Sequence, residues 1–173
     1  IISLSSSSIT GIYEDDNDII WLGIKSFVLG LFNRKTNALT LYNHHPVLKN
    51  ITGKANSILS FHKPQKKDEL WLGTRYDGLY VVSFKNGKIE SVNKRVLDGI
   101  NEGNLLIKKI IEDEQHNIWI ATSNGLMHLK WNGSDEYVMQ IETEIKKKLF
   151  NQIINTVFID HEKNIWVGTQ DRG

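Results

Sequence analysis

The sequence contains no cysteine, and this absence excludes disulfides, zinc sites with cysteine ligands and thiol catalysis. The sequence also lacks a large excess of positive charge, because it has 21 lysines and arginines and 20 acidic residues, a formal net charge of +1. The composition therefore gives no case for binding nucleic acid or an anionic membrane. No run approaches the ~18–20 uninterrupted apolar residues that cross a bilayer. The chain opens at Ile1 without a start methionine or a cleavable leader, so we expect a mature or excised piece of a longer protein.

What the sequence does contain is a short string with a tryptophan that recurs four times. It reads Ile-Trp-Leu-Gly at 20–23, Leu-Trp-Leu-Gly-Thr at 70–74, Ile-Trp-Ile-Ala-Thr at 118–122 and Ile-Trp-Val-Gly-Thr at 165–169. The tryptophans are Trp21, Trp71, Trp119 and Trp166, which are 50, 48 and 47 positions apart. A period of this length is typical of repeat proteins in which each unit buries its apolar face against its neighbours.

Each repeat predicts four short strands, with the tryptophan on the second. Asn86-Gly87 is the strongest hairpin signal, because both residues tolerate the positive φ of a type I′ turn, so 89–92 should pair back across it. A glycine is expected to enter each third strand, at Gly30, Gly78 and Gly125. Residues 142–149 could form one or two helical turns. The segments lack the 3.6-residue period of an α-solenoid, and a sandwich or simple barrel has no reason to repeat at this length.

We therefore predict an all-β fold, a β-propeller fragment of about three and a half four-stranded blades from a ring of seven. Blade 1 spans 1–56, blade 2 spans 57–104, blade 3 spans 105–151, and 152–173 form the first half of blade 4. A seven-bladed ring at this period needs ~330 residues. We therefore expect the rest of the propeller, or a second copy in a homodimer, to complete it.

The repeated residues are expected to serve the fold. The tryptophans, as structural anchors, should fill the wedge between adjacent sheets, and the glycine that follows should allow a neighbouring strand to approach closely. The threonine after it should bond locally or across strands through its hydroxyl group. Asp15, Asp113 and Asp160 each precede a tryptophan by six positions and should stabilise a turn by accepting backbone N–H groups.

Catalytic and metal chemistry find little support in the pattern. Residues 15–18 offer a possible calcium loop, but the full EF-hand pattern is absent. The six histidines show no metal-ligand spacing, and neither a nucleophile elbow nor a phosphate-binding glycine loop is present. We predict no metal, no cofactor and no catalytic residue in this chain.

The pattern Ile-x-x-Ile-x-x-Asp, turn, Ile-Trp-Ile-Gly-Thr, loop, Gly-Leu resembles the two-component regulator propeller repeat over essentially the whole chain. That repeat builds the periplasmic sensor region of hybrid two-component histidine kinases, typical of Bacteroidetes. The resemblance implies a non-catalytic segment of a membrane-anchored protein that senses oligosaccharides and regulates the transcription of glycan-utilisation genes. The kinase domains would lie outside this chain.

Ligand-binding candidates lie in the loops between second and third strands, which do not repeat. Arg75, Tyr76, Asp77, Asp171 and Arg172 combine charge with an aromatic ring, as binding of sugars or uronates requires. Solvated loop residues are the alternative reading of the same set. Two other functions stay open: a sialidase-like or lyase-like propeller enzyme, which the four scattered arginines support poorly, and a protein-binding scaffold.

Overall fold

The computed structural model describes residues 8–25, 28–42, 48, 57–85, 88–95, 97, 105–140, 149 and 152–171. These residues contain three four-stranded antiparallel sheets and one two-stranded sheet. The predicted all-β fold of about three and a half blades is thereby confirmed. Sheet 1 holds β1 (Ile9–Glu14), β2 (Ile19–Ile24), β3 (Val28–Asn33) and β4 (Ala38–Leu41); sheet 2 holds β5 (Ile58–His62), β6 (Glu69–Thr74), β7 (Leu79–Lys85) and β8 (Lys88–Arg95); sheet 3 holds β9 (Ile107–Glu112), β10 (Ile118–Thr122), β11 (Gly125–Trp131) and β12 (Tyr137–Gln140); sheet 4 holds β13 (Ile154–Ile159) and β14 (Ile165–Thr169).

The strands of each sheet follow one another in chain order, each antiparallel to the next. The first strands β1, β5, β9 and β13 contact one another in succession, whereas the outer strands of different sheets make fewer such contacts. The four sheets therefore share an inner line of first strands and fan outwards from it. This is the arrangement of propeller blades around an axis.

Apolar side chains fill the three spaces between successive sheets. One cluster joins sheets 1 and 2, a second joins sheets 2 and 3, and a third joins sheets 3 and 4. Trp21, Trp71 and Trp119 each belong to one of these clusters and are 4%, 0% and 5% exposed. These three indoles occupy the wedge for which the repeat predicts them. Trp166 occupies the same strand position in sheet 4, but it is 62% exposed.

The glycine after each tryptophan lies where the next blade comes closest. A Cβ atom on Gly23 would lie 2.4 Å from the carbonyl oxygen of Ile58, and one on Gly73 would lie 2.5 Å from Cγ2 of Ile107. Both isoleucines begin the first strand of the following sheet. The predicted close approach of a neighbouring strand is confirmed at both positions, and in sheet 3 the small Ala121 takes the same place in the third cluster.

The aspartate before each tryptophan holds its turn as predicted. Oδ1 of Asp113 accepts the backbone N–H groups of Gln115 (3.0 Å) and Asn117 (2.9 Å), while Oδ2 accepts the indole N–H of Trp119 (3.0 Å). Asp15 and Asp160 repeat these contacts with their own turns and tryptophans. In each turn the third residue after the aspartate has a positive φ; these residues are Asp18 (59°), His116 (64°) and Lys163 (70°).

Sheet 2 has no aspartate at this position, and a different acid replaces it. Pro64 stands in the turn, and the indole N–H of Trp71 donates instead to Glu69 at 3.1 Å. Glu69 begins the same strand as Trp71. The carboxylate partner of the indole is therefore kept although its place in the sequence moves.

The predicted place of Gly30 is wrong. Gly23 is paired with Leu29, and the equivalent Gly73 is paired with Leu79. The residue before each leucine is Val28 in sheet 1 and Gly78 in sheet 2, so Val28, and not Gly30, is the counterpart of Gly78. Gly78 and Gly125 have φ angles of 73° and 115°, whereas Gly30 lies in mid-strand. The predicted hairpin is confirmed by the pairing of Lys85 with Lys88, although residues 86–87 themselves lie outside the described residues. Of the helical turns suggested for 142–149, residues 142–148 also lie outside the described residues.

Candidate functional site

The loops between second and third strands lie on one face of the molecule, beside the points where the chain enters each first strand. One backbone hydrogen bond fixes this in every repeat, from the fourth residue after the tryptophan to the residue just before the first strand. The four bonds join Lys25 to Ser8 (2.8 Å), Arg75 to Ser57 (3.0 Å), Ser123 to Leu106 (2.9 Å) and Gln170 to Ile153 (2.9 Å). We call this surface the loop face.

The loop at 75–77 is held by the repeated threonine. The Thr74 hydroxyl donates to the carbonyl oxygen of Gly78 at 2.9 Å and accepts the backbone N–H of Asp77 at 3.0 Å. Thr122 makes the equivalent pair of bonds in sheet 3, which confirms the local role predicted for these hydroxyl groups. Gly78 also donates its N–H to Leu105, just ahead of the first strand of sheet 3, at 3.0 Å. The loop backbone is thus fixed to two blades.

Arg75 and Tyr76 project from this fixed loop into solvent. The guanidinium carbon of Arg75 lies 5.9 Å from the centre of the Tyr76 ring, and Tyr76 is 45% exposed. Cation and ring are close enough to attract each other. Together they present a bidentate donor for an acidic group beside an aromatic face on which a sugar ring can stack.

Asp77, on the same loop, is already bound. Its carboxylate accepts a hydrogen bond from the Tyr80 hydroxyl and lies 2.7 Å from Nζ of Lys94. Burial by itself raises the pKa of the Asp77 carboxyl, but the bonds from Lys94 and Tyr80 lower it below its ordinary value. Burial, together with the contact to Asp77, raises the pKa of Tyr80. Asp77 therefore orders the loop. Its contact with Lys94 could not be predicted from the sequence, because Lys94 lies 17 residues away on another strand.

The remaining two candidates are in sheet 4. Asp171 is exposed and follows β14 on the loop face, where it is the counterpart of Tyr76. Arg172 lies outside the described residues. Sheet 3 stands between the loops of sheets 2 and 4, so Asp171 and the pair Arg75 and Tyr76 lie on loops that are not neighbours. Of the predicted set, the structure brings together Arg75 and Tyr76.

A second polar cluster, which the sequence did not suggest, joins sheets 2 and 3 at the opposite ends of their first strands. The side chain of Glu112 is only 4% exposed. It contacts Nε2 of His62 at 3.0 Å and Nδ1 of His116 at 2.9 Å, and it accepts the backbone N–H of Gln65 at 3.0 Å. Burial raises the pKa of Glu112, yet these three hydrogen bonds together lower it below its ordinary value. His62 and Glu112 belong to different repeats, so no sequence spacing could pair them.

A third polar contact joins the outer parts of the same two sheets. The Arg95 guanidinium lies 5.0 Å from the centre of the Trp71 ring and 6.0 Å from that of Tyr137, and it donates to the Tyr137 carbonyl oxygen at 2.7 Å. Burial lowers the pKa of Arg95, although the nearby Glu69 opposes that shift. Arg95 therefore binds blade 2 to blade 3. No group of three or more acidic or histidine side chains in the described residues could hold a metal ion.

Comparison with known protein families finds a match to two of the four repeats. The model of the two-component regulator propeller matches residues 3–25 and 148–171, which contain the first and fourth tryptophan strings. The resemblance deduced from the sequence is thereby confirmed. No curated protein matches the chain.

Solved structures show the same fold. The extracellular domain assigned to the hybrid two-component system BT4673 of B. thetaiotaomicron aligns with a TM-score of 0.65 and 22% identity, covering 96% of this chain and 21% of that one. A second structure of the BT4673 extracellular domain, assigned to a one-component system, aligns at 0.50 and 18%, covering 98% and 28%. PorZ, a surface component of the type IX secretion system of Porphyromonas gingivalis, aligns at 0.50 and 12%, covering 94% and 31%. The chain thus spans between about a fifth and a third of these structures. No helix in its described residues is long and apolar enough to cross a membrane.

Proposed function

Because the chain carries two-component regulator propeller repeats, we propose that it is part of the extracytoplasmic, ligand-sensing propeller of a hybrid two-component histidine kinase. The family description carries this proposal, and the similar extracellular domain from B. thetaiotaomicron supports it. The whole protein would be anchored in the inner membrane with this segment in the periplasm. Its kinase and transcription-regulating domains would lie outside this chain.

We propose that the ligand is an oligosaccharide with acidic groups and that the loop face binds it. Arg75 and Tyr76 support this, because they are exposed next to each other on a loop whose backbone is fixed to two blades. A fixed loop loses little conformational freedom when a ligand binds. Asp171, on the same face two blades further on, would contact a different part of an extended ligand.

The segment would bind its ligand without cleaving it. A glycosidase needs two carboxylates placed on either side of the bond to be cleaved. On the described part of the loop face, Asp77 already accepts bonds from Tyr80 and Lys94, which leaves it poorly placed to protonate a leaving group. This supports a sensor over the sialidase-like or lyase-like enzymes that the sequence left open.

A glycan array that includes uronic-acid oligosaccharides, followed by titration calorimetry with each hit, tests the proposal. Arg75→Ala should weaken binding of acidic glycans about tenfold or more, which corresponds to the loss of one charge-assisted contact. Tyr76→Ala should weaken the binding of acidic and neutral glycans alike. Arg34→Ala is the matched control, since Arg34 is a half-exposed arginine that pairs with Glu14 on another turn.

Two results would contradict the proposal. One is that calorimetry confirms none of the hits on the array. The other is an equal loss of binding in the Arg34 and Arg75 variants. Release of new reducing ends from a bound glycan would instead indicate an enzyme.

A further inference from the structure

A β-bulge recurs in the first strand of every sheet, close to the loop face. In each first strand one extra residue is inserted between two residues that pair with consecutive residues of the second strand. The extra residue lies two positions after the residue whose carbonyl oxygen accepts the loop-face hydrogen bond. Bulges often re-aim a side chain beside a binding site. The four extra residues, which we call the bulge row, are Thr10, Leu59, Lys108 and Asn155.

The bulge repeats, but the residue that occupies it does not. The residue just before the bulge is an isoleucine in all four repeats, at Ile9, Ile58, Ile107 and Ile154. The bulge row itself holds a threonine, a leucine, a lysine and an asparagine. The fold thus needs the isoleucine and the bulge, whereas it accepts a hydroxyl, an apolar, a cationic or an amide side chain within the bulge. Such a position is free to serve recognition.

The side chains of the bulge row lie along the inner line of first strands. The Thr10 hydroxyl donates to the carbonyl oxygen of Ile58 at 2.7 Å, and the Lys108 ammonium donates to Oδ1 of Asn155. Each of these bonds joins a first strand to the next one. Leu59, although apolar, belongs to none of the three clusters that the described residues form between the sheets. Leu59 and Lys108 already have a described blade on either side, and further blades would continue around the axis without covering them.

Lys108 is the charged member of the bulge row, and its charge is not neutralised by a carboxylate within the described residues. Its ammonium group bonds there to the neutral amide oxygen of Asn155. The amide nitrogen of Asn155 in turn donates to the carbonyl oxygen of Thr169 at 3.4 Å, which turns Oδ1 towards Lys108. An ammonium group has three N–H donors, so two remain for a ligand. Lys108 is therefore a partly exposed cation that its neighbour holds in place.

We propose that Lys108, positioned by Asn155, binds one carboxylate of an acidic oligosaccharide at the inner line, while Arg75 binds another. This inference rests on the proposed function. Arg75 and Lys108 belong to neighbouring blades on the same face, since the N–H of Arg75 binds the carbonyl oxygen of Ser57, two residues before the bulge of sheet 2. An acidic chain that crosses the loop face from the 75–77 loop towards the axis therefore meets both cations. An ammonium group is a compact charge without the fixed fork of a guanidinium, so it can bind a carboxylate in several orientations.

Titration calorimetry on the full-length protein tests this site, with uronic-acid oligosaccharides and their carboxyl-reduced counterparts as probes. Lys108→Met removes the charge and keeps the apolar stem. It should weaken binding of the acidic probes about tenfold, the loss of one charge-assisted contact, and leave binding of the reduced probes unchanged. Lys108→Arg should retain most of the affinity. Lys130→Met is the matched control, because Lys130 is an exposed lysine on the third strand of the same sheet.

Two further variants make the test sharper. Asn155→Asp should also weaken binding of the acidic probes, because the new carboxylate would pair with Lys108 and repel the ligand. Lys108→Met combined with Arg75→Ala should weaken binding about a hundredfold, because the two cations bind different carboxylates and their losses then multiply.

Circular dichroism first establishes that each variant keeps its β structure, and Lys108→Gln replaces Lys108→Met if the latter does not. Unchanged binding in Lys108→Met overturns the inner-line site, while a loss confined to Arg75→Ala would leave the proposed function standing. A loss in Lys108→Met without one in Arg75→Ala supports the inner-line site and removes Arg75 from the proposed function. An equal loss in Lys130→Met, or with the reduced probes, overturns the site because the charge of Lys108 would not be the cause. Absence of binding to every acidic probe overturns both proposals.

Discussion

Gly73→Ala should destabilise the chain, because this glycine is the point of closest approach between blades 2 and 3. An added Cβ would lie 2.2 Å from Oγ of Ser60 and 2.5 Å from Cγ2 of Ile107. Ser60 and Ile107 are 7% and 0% exposed, so neither can move into solvent. Overpacking of this kind costs about 1–3 kcal/mol. Replacing glycine by alanine also restricts the unfolded chain, which offsets about 0.4–1 kcal/mol of that cost.

Gly168→Ala is the matched control for this substitution. It stands at the same place in its own sheet, and its added Cβ would meet atoms of Thr156 alone, the nearest being Cγ2 at 2.9 Å. The effect on the unfolded chain is the same in both variants, so their difference reports the contacts in the folded state: the one with Ser60 inside sheet 2 and the one with Ile107 across the blades. We expect Gly168→Ala to change the free energy of unfolding by no more than about 0.5 kcal/mol.

Urea unfolding followed by tryptophan fluorescence and circular dichroism measures both variants. The comparison is made at one low protein concentration. Ser60→Ala should recover part of the loss in the Gly73 variant, which a double-mutant cycle detects. If Gly73→Ala is as stable as Gly168→Ala, the interlock between glycine and isoleucine does not fix the spacing of the blades.

Three further variants test the polar contacts. Because the pKa of Glu112 is lowered in the folded chain, its carboxylate stabilises the fold above the ordinary pKa of 4.5, and this stabilisation is lost as pH falls below that value. Glu112→Gln should therefore flatten the fall in the free energy of unfolding between about pH 5 and about pH 3. An unchanged slope would contradict this. Asp113→Ala should cost about 2–3 kcal/mol, since four N–H bonds to one carboxylate are lost, whereas loss of under about 0.5 kcal/mol would show that the turn holds without it. Arg95→Lys should cost about 1–2 kcal/mol in the same urea assay, because lysine cannot stack between Trp71 and Tyr137 as the planar guanidinium does; equal stability would refute the stacking.

The repeated residues could be interpreted from the sequence because each performs a local or periodic task. Asp113 bonds to atoms within six residues of itself, and Thr122 bonds within three, so their spacing alone predicts the contact. Gly30 shows the limit of this reasoning. Loops of different length shift the apparent position of a glycine, and the register of paired strands decides which residue truly corresponds to Gly78.

The sequence by itself determined the class of fold and the number of repeats, since a period of nearly 50 residues with a fixed tryptophan reflects one unit built four times. Only the tertiary structure decided which residues meet across blades. His62 reaches Glu112, and Arg95 reaches Tyr137, through contacts that no periodic pattern encodes. It also decided that Trp166 is exposed while its three counterparts are buried, because burial depends on the neighbouring blade and not on the string of residues around the tryptophan.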